Sequence, residues 1–499
     1  MLFLLIVTAI LGYFTWSLMK AREKLPKGPI PLPLIGNLHQ LIYTCWKNGG
    51  TVAGFNEFKK QYGRVFTIWM GPIPSVHIAD FDVAYETHIK RAHTFGVRYA
   101  KGGMNYIREG RGIIASNGDF WLEHRRFALS TLRNFGLGRN IMEEKIMEEY
   151  RYRFQDFKKT NFKNGGIEIH ASSFFDLLVG SIINTLLVSE RFEQDDEEFE
   201  KLKVNLAKSL EKVSIIDAFT PFWLLKSDLW KWRTKTIFGP FDFVYSLVNK
   251  GIQRRVDAIK SGKHVISENG DDYVDAFMIK MEKDKKEGID SSFTLETLAI
   301  DLYDLWLAGQ ETTSTTLTWA CACLLNYPKV YEKLRKELLE VTGGTRSIGL
   351  NDRPATPYLN ATINEIQRIA SILNTNLFRI LEEDTVIDGQ PVSAGAVVAT
   401  QLAMLHTDEA NFKNPTEFNP ERFLENNNLE KTLIPFGIGK RSCLGESLAR
   451  AELYLITGNI VLDYDLEPAG PMPEVKTATP FGLMKRPPNY NIRFVAVNK

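Results

Sequence analysis

Residues 434–450 read IPFGIGKRSCLGESLAR. They set Cys443 in a glycine-rich turn, after two basic residues and before a helix-like run. The chain of 499 residues has only four cysteines, Cys45, Cys321, Cys323 and Cys443. That is no disulfide framework, and it points to a reducing compartment around the folded part. An isolated thiol would read as a buried, inert residue. The surroundings of Cys443 argue for more. Gly437, Gly439 and Gly445 permit turns that a residue with a Cβ resists. A thiolate just before a helix start faces unpaired N–H groups and the positive end of the dipole, which stabilise its charge. Such a sulfur suits a soft metal. No second cysteine or histidine stands at zinc-like spacing, so zinc is poorly supported. A single thiolate axial ligand to haem iron fits better.

The stretch Phe436-Gly-Ile-Gly439-Lys-Arg441-Ser-Cys443-Leu-Gly445 resembles the haem-binding signature of the cytochrome P450 family, matching its fixed positions Phe436, Gly439, Arg441, Cys443 and Gly445. Three further stretches resemble the family in order. AGQETTS, residues 308–314, lies inside a long apolar helix pattern and is similar to the oxygen-activation segment. Ala308 and Gly309 would let a flat cofactor and oxygen approach, and Glu311 and Thr312 would place a carboxylate and a hydroxyl where protons must reach bound oxygen. A polar interruption facing solvent is the rival, but the flanks DLYDLWL and LTWACACLL suggest a deeply buried helix, where an unsatisfied polar cluster is costly. NEIQRI sets Glu365 and Arg368 three apart, and FNPERF supplies Arg422. The resemblance makes these a buried structural network that folds the haem pocket. WLEHR, residues 121–125, resembles the helix that reaches a haem propionate. By position, Arg98, Trp121, Arg125, Arg379 and Arg441 are the expected partners of the cofactor's carboxylates. Arg379 departs from related members, which often carry histidine after proline there.

The resemblance covers essentially the whole chain and is nearest to microsomal animal members that oxidise drugs and lipids, invertebrate ones included. It implies a mainly α fold with small β-sheets, the cytochrome P450 fold with an N-terminal transmembrane helix. It implies a haem b (iron protoporphyrin IX) monooxygenase with Cys443 on the iron, Phe436 shielding the sulfur, Ala308 against the cofactor, and Glu311 and Thr312 as candidate catalytic residues. Electrons would come from NADPH through a separate flavoprotein, NADPH–cytochrome P450 reductase, with cytochrome b5 as an optional second donor. Segments 101–117, 205–225, 304–313, 373–379 and 479–484 would line a pocket for a lipophilic substrate such as a fatty acid, steroid or foreign compound. Two other readings stand beside this one: a reductase-independent isomerase of lipid peroxides, and a haem sensor or carrier without turnover.

Outward from these motifs, the chain divides into a transmembrane anchor (1–19), a basic and proline-rich hinge (20–37) and one catalytic domain (38–499). Residues 2–19 carry no charge and are just long enough to span a hydrocarbon core of roughly 30 Å. A cleaved signal peptide would want positive charge before the run and a small-residue site after it, and has neither. Lys20, Arg22 and Lys24 favour a cytosolic body on an endoplasmic reticulum membrane. The sequon at Asn360 would then be unused. Basic and acidic residues, 61 and 60, nearly cancel, so a nucleic-acid partner is not expected.

Helical periodicity predicts helices over 119–135, 138–158, 172–189, 197–213, 238–261, 271–285, 295–325, 329–339, 358–372 and 445–460. Strands are predicted at 65–69, 75–78, 385–387, 396–400 and 490–495. Cys321 and Cys323 read as core. The aromatic run 219–233 reads either as core packing or as a loop that dips into the membrane. Arg126, Arg133 and Lys440 read either as a docking face for an electron donor or as solvated surface.

Overall fold

The apolar run around AGQETTS folds as one helix, Leu295–Asn326. Thr294 starts it, its hydroxyl and backbone N–H exchanging bonds with Thr297. It ends where Pro328, which has no N–H to give, opens the next helix, Pro328–Thr342. From Leu298 to Leu325 nearly every residue of this central helix is buried. Leu305, Leu307, Ala308, Gly309 and Thr312 are the exceptions. Four of those, 305, 308, 309 and 312, follow the i, i+3, i+4, i+7 spacing of one helix face. A helix in the middle of the protein thus opens one short stripe to an internal space.

The computed structural model describes residues 1–135, 140–426, 428–475, 482 and 484–497. The predicted mainly α architecture with small sheets is what forms. Helix Ala171–Val188 lies along the central helix. It is long and apolar enough to cross a membrane, but most of it is buried in this core. Two glycines set the separation. A Cβ on Gly309 would stand 3.0 Å from Ile183 Cδ1, and one on Gly180 would stand 2.4 Å from Gln310 Oε1. The predicted use of Gly309, to admit cofactor and oxygen, is thus matched by a second one: its bare Cα lets the two helices close. Helices Asn140–Asn161, Lys231–Lys260, Pro357–Ala370 and Glu446–Asp463 complete the core. Each fully buried Leu, Ile or Phe there contributes roughly 1.5–3 kcal/mol.

The first sheet runs Val65–Met70, Ile73–Ile78, Val397–Thr400, Arg379–Ile380, with only the middle pairing parallel. It carries Arg379 from an edge strand towards Arg98, across an isolated bridge. The second sheet runs Phe162–Lys163, Gly166–His170, Asn491–Ala496, Tyr464–Pro468, all antiparallel. Thr385–Ile387 and Gln390–Val392 form a hairpin. Most predicted boundaries fall within two or three residues of these. The first two residues of predicted helix 138–158 lie outside the described residues. Helix Lys231–Lys260 starts seven residues earlier than predicted, through Pro240. Helices Leu38–Lys47 and Thr51–Tyr62 were not predicted.

At the N-terminus one helix spans Leu2–Arg22, slightly longer than the predicted anchor, with Tyr13, Phe14 and Trp16 exposed. The proline-rich segment that follows is not a free linker. Lys27 O accepts from Thr67 N at 3.1 Å, Asn37 Oδ1 accepts from Trp69 N at 2.8 Å, and Leu25 is buried. The segment is docked on the edge of the first sheet.

Candidate active site

Cys443 lies in the turn ahead of helix Glu446–Asp463. Gly437 and Gly439 have φ of 73° and 82°, which favours glycine. A Cβ on Gly439 would also stand 2.2 Å from His88 O. Gly445 differs from expectation: its φ is −88° and a Cβ there meets nothing within 4 Å, so the fold does not demand glycine. The turn closes on itself, Cys443 N–H donating to Phe436 O at 2.9 Å. Of the cysteines, Cys45, Cys321 and Cys323 are buried and Cys443 alone is exposed. Its thiol is nonetheless crowded by the surrounding protein. Burial pushes its thiol up, and the Gly445 N–H and Arg125 only partly offset this, with Glu446 adding to the rise. The predicted stabilisation of a thiolate by the helix start is therefore outweighed by desolvation, and such a thiol ionises when a cation binds it.

The sequence-predicted cationic residues converge beside this turn. The Arg441 guanidinium lies 3.6 Å from the centre of the Trp121 ring. Its Nε donates to Gly96 O at 2.9 Å, and its Nη2 to Ser116 O and to Asn117 Oδ1. Asn117 Oδ1 also accepts the Arg98 N–H at 2.7 Å, and Asn117 Nδ2 donates to Arg98 O. Arg98 binds Ile114 O and Leu377 O, and Arg379 binds Leu377 O at 2.7 Å. Arg125 Nη2 donates to Ser442 O at 2.9 Å, holding helix Gly118–Asn134 to the cysteine turn. Phe436 is capped by Arg450, whose guanidinium lies 4.8 Å from the ring centre.

This cluster lacks acids. Among the described residues, none of Arg98, Arg125, Arg379 and Arg441 pairs with a carboxylate. Arg379 Nε and Nη2 and Arg441 Nη1 are buried without a partner. Burial, and then repulsion from Arg441, lowers Arg379 to about 9; burial and Arg125 lower Arg441 to about 9. Buried donors with no acceptor are rare and costly. A soft sulfur donor beside unpaired guanidinium N–H groups is the donor set of a group that carries a metal and acidic arms. Haem, an iron with two propionates, fits it. Sequence reasoning had Asn117 only at the end of a pocket-lining segment, not as the residue that joins Arg98 to Arg441, and missed His88. His88 is buried with Nε2 unpartnered, held at about 3 by burial and by Arg379 despite the Ala84 carbonyl. Neither carries a local sequence signal.

Glu311 departs most from its expected setting. Lys203 of helix Glu197–Lys212 donates to its Oε1, and Arg486 Nη1 donates to Oε2 at 3.2 Å. Lys203 also pairs with Asp176 at 3.0 Å. Burial alone would raise Glu311, but the two cations outweigh it and hold the carboxyl below its ordinary range. Thr312, on the open stripe, donates from Oγ1 to Ala308 O at 2.7 Å, which leaves its lone pairs free to accept. Behind it, Thr313 bonds the buried Glu452, whose other oxygen has no partner. Glu365 and Arg368 form a two-bond fork at 2.7 and 2.8 Å. Arg422 joins Glu365 at 3.2 Å, and all three are buried. Arg126, Arg133 and Lys440 are exposed. Gly482 and Met484 of the predicted pocket segment bridge Ser214 and Leu373; residues 479–481 and 483 lie outside the described residues. No group of three or more metal-binding side chains occurs among the described residues.

A helical body with one buried open stripe, a lone cysteine on a turn and, among the described residues, an arginine cluster without acids fit a protein that holds haem. Residues 26–494 match the family model "Cytochrome P450", and the chain belongs to that family, whose members are monooxygenases. It is 41 % identical to "Probable cytochrome P450 cyp-35D1" of Caenorhabditis elegans, over 97 % of each chain. It is 32 % identical to "Cytochrome P450 2C21" of Canis lupus familiaris, over 98 % of this chain and 99 % of that one. It is also 32 % identical to "Cytochrome P450 2B19" of Mus musculus, over 99 % of each.

Proposed function

We propose that the protein is a membrane-anchored haem-thiolate monooxygenase that inserts one oxygen atom from O2 into a lipophilic organic substrate. Its electrons come from NADPH through a separate flavoprotein reductase. The observation that carries this reading is the exposed Cys443 beside buried guanidinium groups that have no acid to pair. Cys443 is the sulfur donor to iron. Arg98, Arg125, Arg379, Arg441 and Trp121 hold the two propionates, and Phe436 covers the sulfur. When bound, the haem supplies oxygen activation and transfer. Leu305, Ala308, Gly309 and Thr312 would line the space in which oxygen is handled, and the small, exposed Ala308 would leave room there. Thr312 accepts and passes a proton at Oγ1. Glu311, kept ionised by Lys203 and Arg486, is an acceptor in that chain rather than a stored proton.

Residues 1–19 anchor the protein in the endoplasmic reticulum membrane, 20–37 tether it, and 38–499 form the cytosolic catalytic domain. The aromatic run splits in a way that supports a membrane contact: Phe219 and Leu225 are buried, while Trp223, Leu229 and Trp232 are 72 %, 77 % and 66 % exposed. The exposed Arg126, Arg133 and Lys440 suit an acidic face on the reductase.

The carbon monoxide difference spectrum of the reduced protein tests the core of this reading. A strongly red-shifted Soret band that disappears in Cys443→Ala is expected. A band at the position of histidine-ligated haem in folded wild type would overturn it.

A further inference from the structure

Away from the cysteine turn, a half-enclosed cavity of about 930 Å³ opens between helices Ala171–Val188, Glu197–Lys212 and Lys231–Lys260 and the central helix. Its floor is apolar and well packed: Leu187, Phe199, Leu202, Val244, Leu302 and Trp306 are all buried. Leu302 and Trp306 reach it from the central helix, on a different side from the stripe of Ala308 and Thr312. No residue around Cys443 lines it. The volume is within the roughly 300–1,000 Å³ of small-molecule sites.

The mouth is charged, and its cations are paired. Arg255 is bound by Asp272 at 2.7 Å and Asp275 at 2.5 Å, and His264 also meets Asp275. Arg191 is held by Glu149 at 2.6 Å. Asp196 caps its helix by accepting the Phe199 N–H, while Asp257 and Asp271 accept from Gln253 and Ser267. The last two pairs cross between the rims: Lys250 to Glu198 at 3.8 Å and Arg254 to Glu190 at 3.9 Å. Such long, exposed pairs contribute little and separate easily. Among the described residues every cation at the mouth is paired, while Asp196, Asp257 and Asp271 have only neutral partners, so an anion entering would meet acids in excess, whereas a neutral apolar molecule would only have to break these weak contacts. We propose that this cavity is a second binding site, separate from the haem, for a neutral lipophile of about steroid size. Phe199 and Leu202 stand on the same helix as Lys203, so its occupant bears on the helix that grips Glu311.

Gly251 lines the cavity, and a Cβ on it meets nothing within 4 Å, so a side chain can be added at this wall without a clash at its root. The test is equilibrium dialysis of the holoprotein with tritiated progesterone, run beside a Soret titration. Wild type should bind one equivalent that leaves the Soret band unmoved, in addition to any that shifts it. Gly251→Trp should lose that silent equivalent, at least tenfold in affinity, and keep the carbon monoxide spectrum of wild type. Val248→Trp, from the same wall, should do likewise and serves if the first variant misfolds. Oleate, whose carboxylate would meet Asp196, Asp257 and Asp271 at the mouth, should compete at least tenfold more weakly than unlabelled progesterone. The proposal is overturned if all bound progesterone tracks the Soret shift, if the silent equivalent survives in both folded variants, or if oleate competes as well as the steroid. None of these readouts depends on turnover, so the result is separable from the monooxygenase reading.

Discussion

Arg441 stacks its guanidinium 3.6 Å over the ring of Trp121, and the same guanidinium keeps one nitrogen, Nη1, buried without a partner. Held in place by the ring, Gly96, Ser116 and Asn117, the cation is kept aimed at an acceptor the protein itself does not provide. If that acceptor is a propionate, removing the cation weakens cofactor retention without unfolding the chain. Arg441→Ala should purify with a lower haem-to-protein ratio and lose haem to a scavenger globin at least tenfold faster. Asn117→Ala frees the shared contact between Arg98 and Arg441 and should give a smaller effect in the same direction. Unchanged haem loss in both variants would contradict the assignment.

Thr312 and Glu311 are neighbours with different tasks. Thr312→Ala should keep the Soret spectrum and NADPH consumption but shift products from oxygenated substrate to peroxide, a general acid–base loss of roughly 10²–10⁴ at the proton step. Lys203→Met frees one side of Glu311 and removes the cation that most lowers its pKa. Coupling in that variant should become pH-dependent where wild type is flat. Equal coupling in Thr312→Ala and wild type would rule out the proton role.

The Glu365–Arg368 fork, with Arg422 alongside, has no solvent to fall back on. Arg368 also binds the carbonyls of His406, Pro415 and Glu417, so one guanidinium ties down two separate segments. Arg368→Ala leaves a buried carboxylate with a single 3.2 Å cationic partner, a loss of about 3–5 kcal/mol. Arg368→Lys keeps the charge but not the planar fork, and should rescue the loss only partially. Chemical denaturation monitored by Soret absorbance and far-UV dichroism reads both.

Gly309 was legible as a small residue but not in its packing role. An alanine there gains about 1 kcal/mol of helix propensity. Its Cβ, 3.0 Å from Ile183, should cost about 1–3 kcal/mol. Gly309→Ala should therefore be destabilised by up to about 2 kcal/mol, and Ile183→Val should recover some of the loss in a double-mutant cycle. Additive effects would show that the contact is not the cause.

These cases mark where sequence reading stops. The cysteine turn, the fork of Glu365 and Arg368 and the central helix are local patterns, written in spacings of a few residues. The partners of Glu311 are not: Lys203 and Arg486 stand 108 and 175 positions away, and nothing near either announces the contact. The arginine cluster was found residue by residue, but its lack of acids is a property of three dimensions. Strands Gly166–His170 and Tyr464–Pro468 escaped because each is short and draws its pairing from Asn491–Ala496. The predicted helix from 238 holds Pro240 in its first turn, where proline is tolerated, whereas the helix begins at Lys231 and carries Pro240 in its interior.

Glu452 gives a prediction with a definite sign. Burial lifts its carboxyl from an ordinary 4.5 to about 8, and the Thr313 hydroxyl only partly opposes this. The native protein thus holds a proton that the unfolded chain releases near pH 4.5. Between pH 4.5 and about 8 the folded state binds more protons, so stability from this group falls as pH rises. It is fully present below 4.5 and lost through about 8. Glu452→Gln keeps the size and a bond to Thr313 but has no proton to lose. Its unfolding midpoint should vary less with pH than that of wild type across this window, and it should be the more stable of the two at pH 8.5, by on the order of a few kcal/mol. Parallel pH profiles for the two proteins would mean that Glu452 is ionised in the folded state and that the Thr313 contact is a bond to a carboxylate.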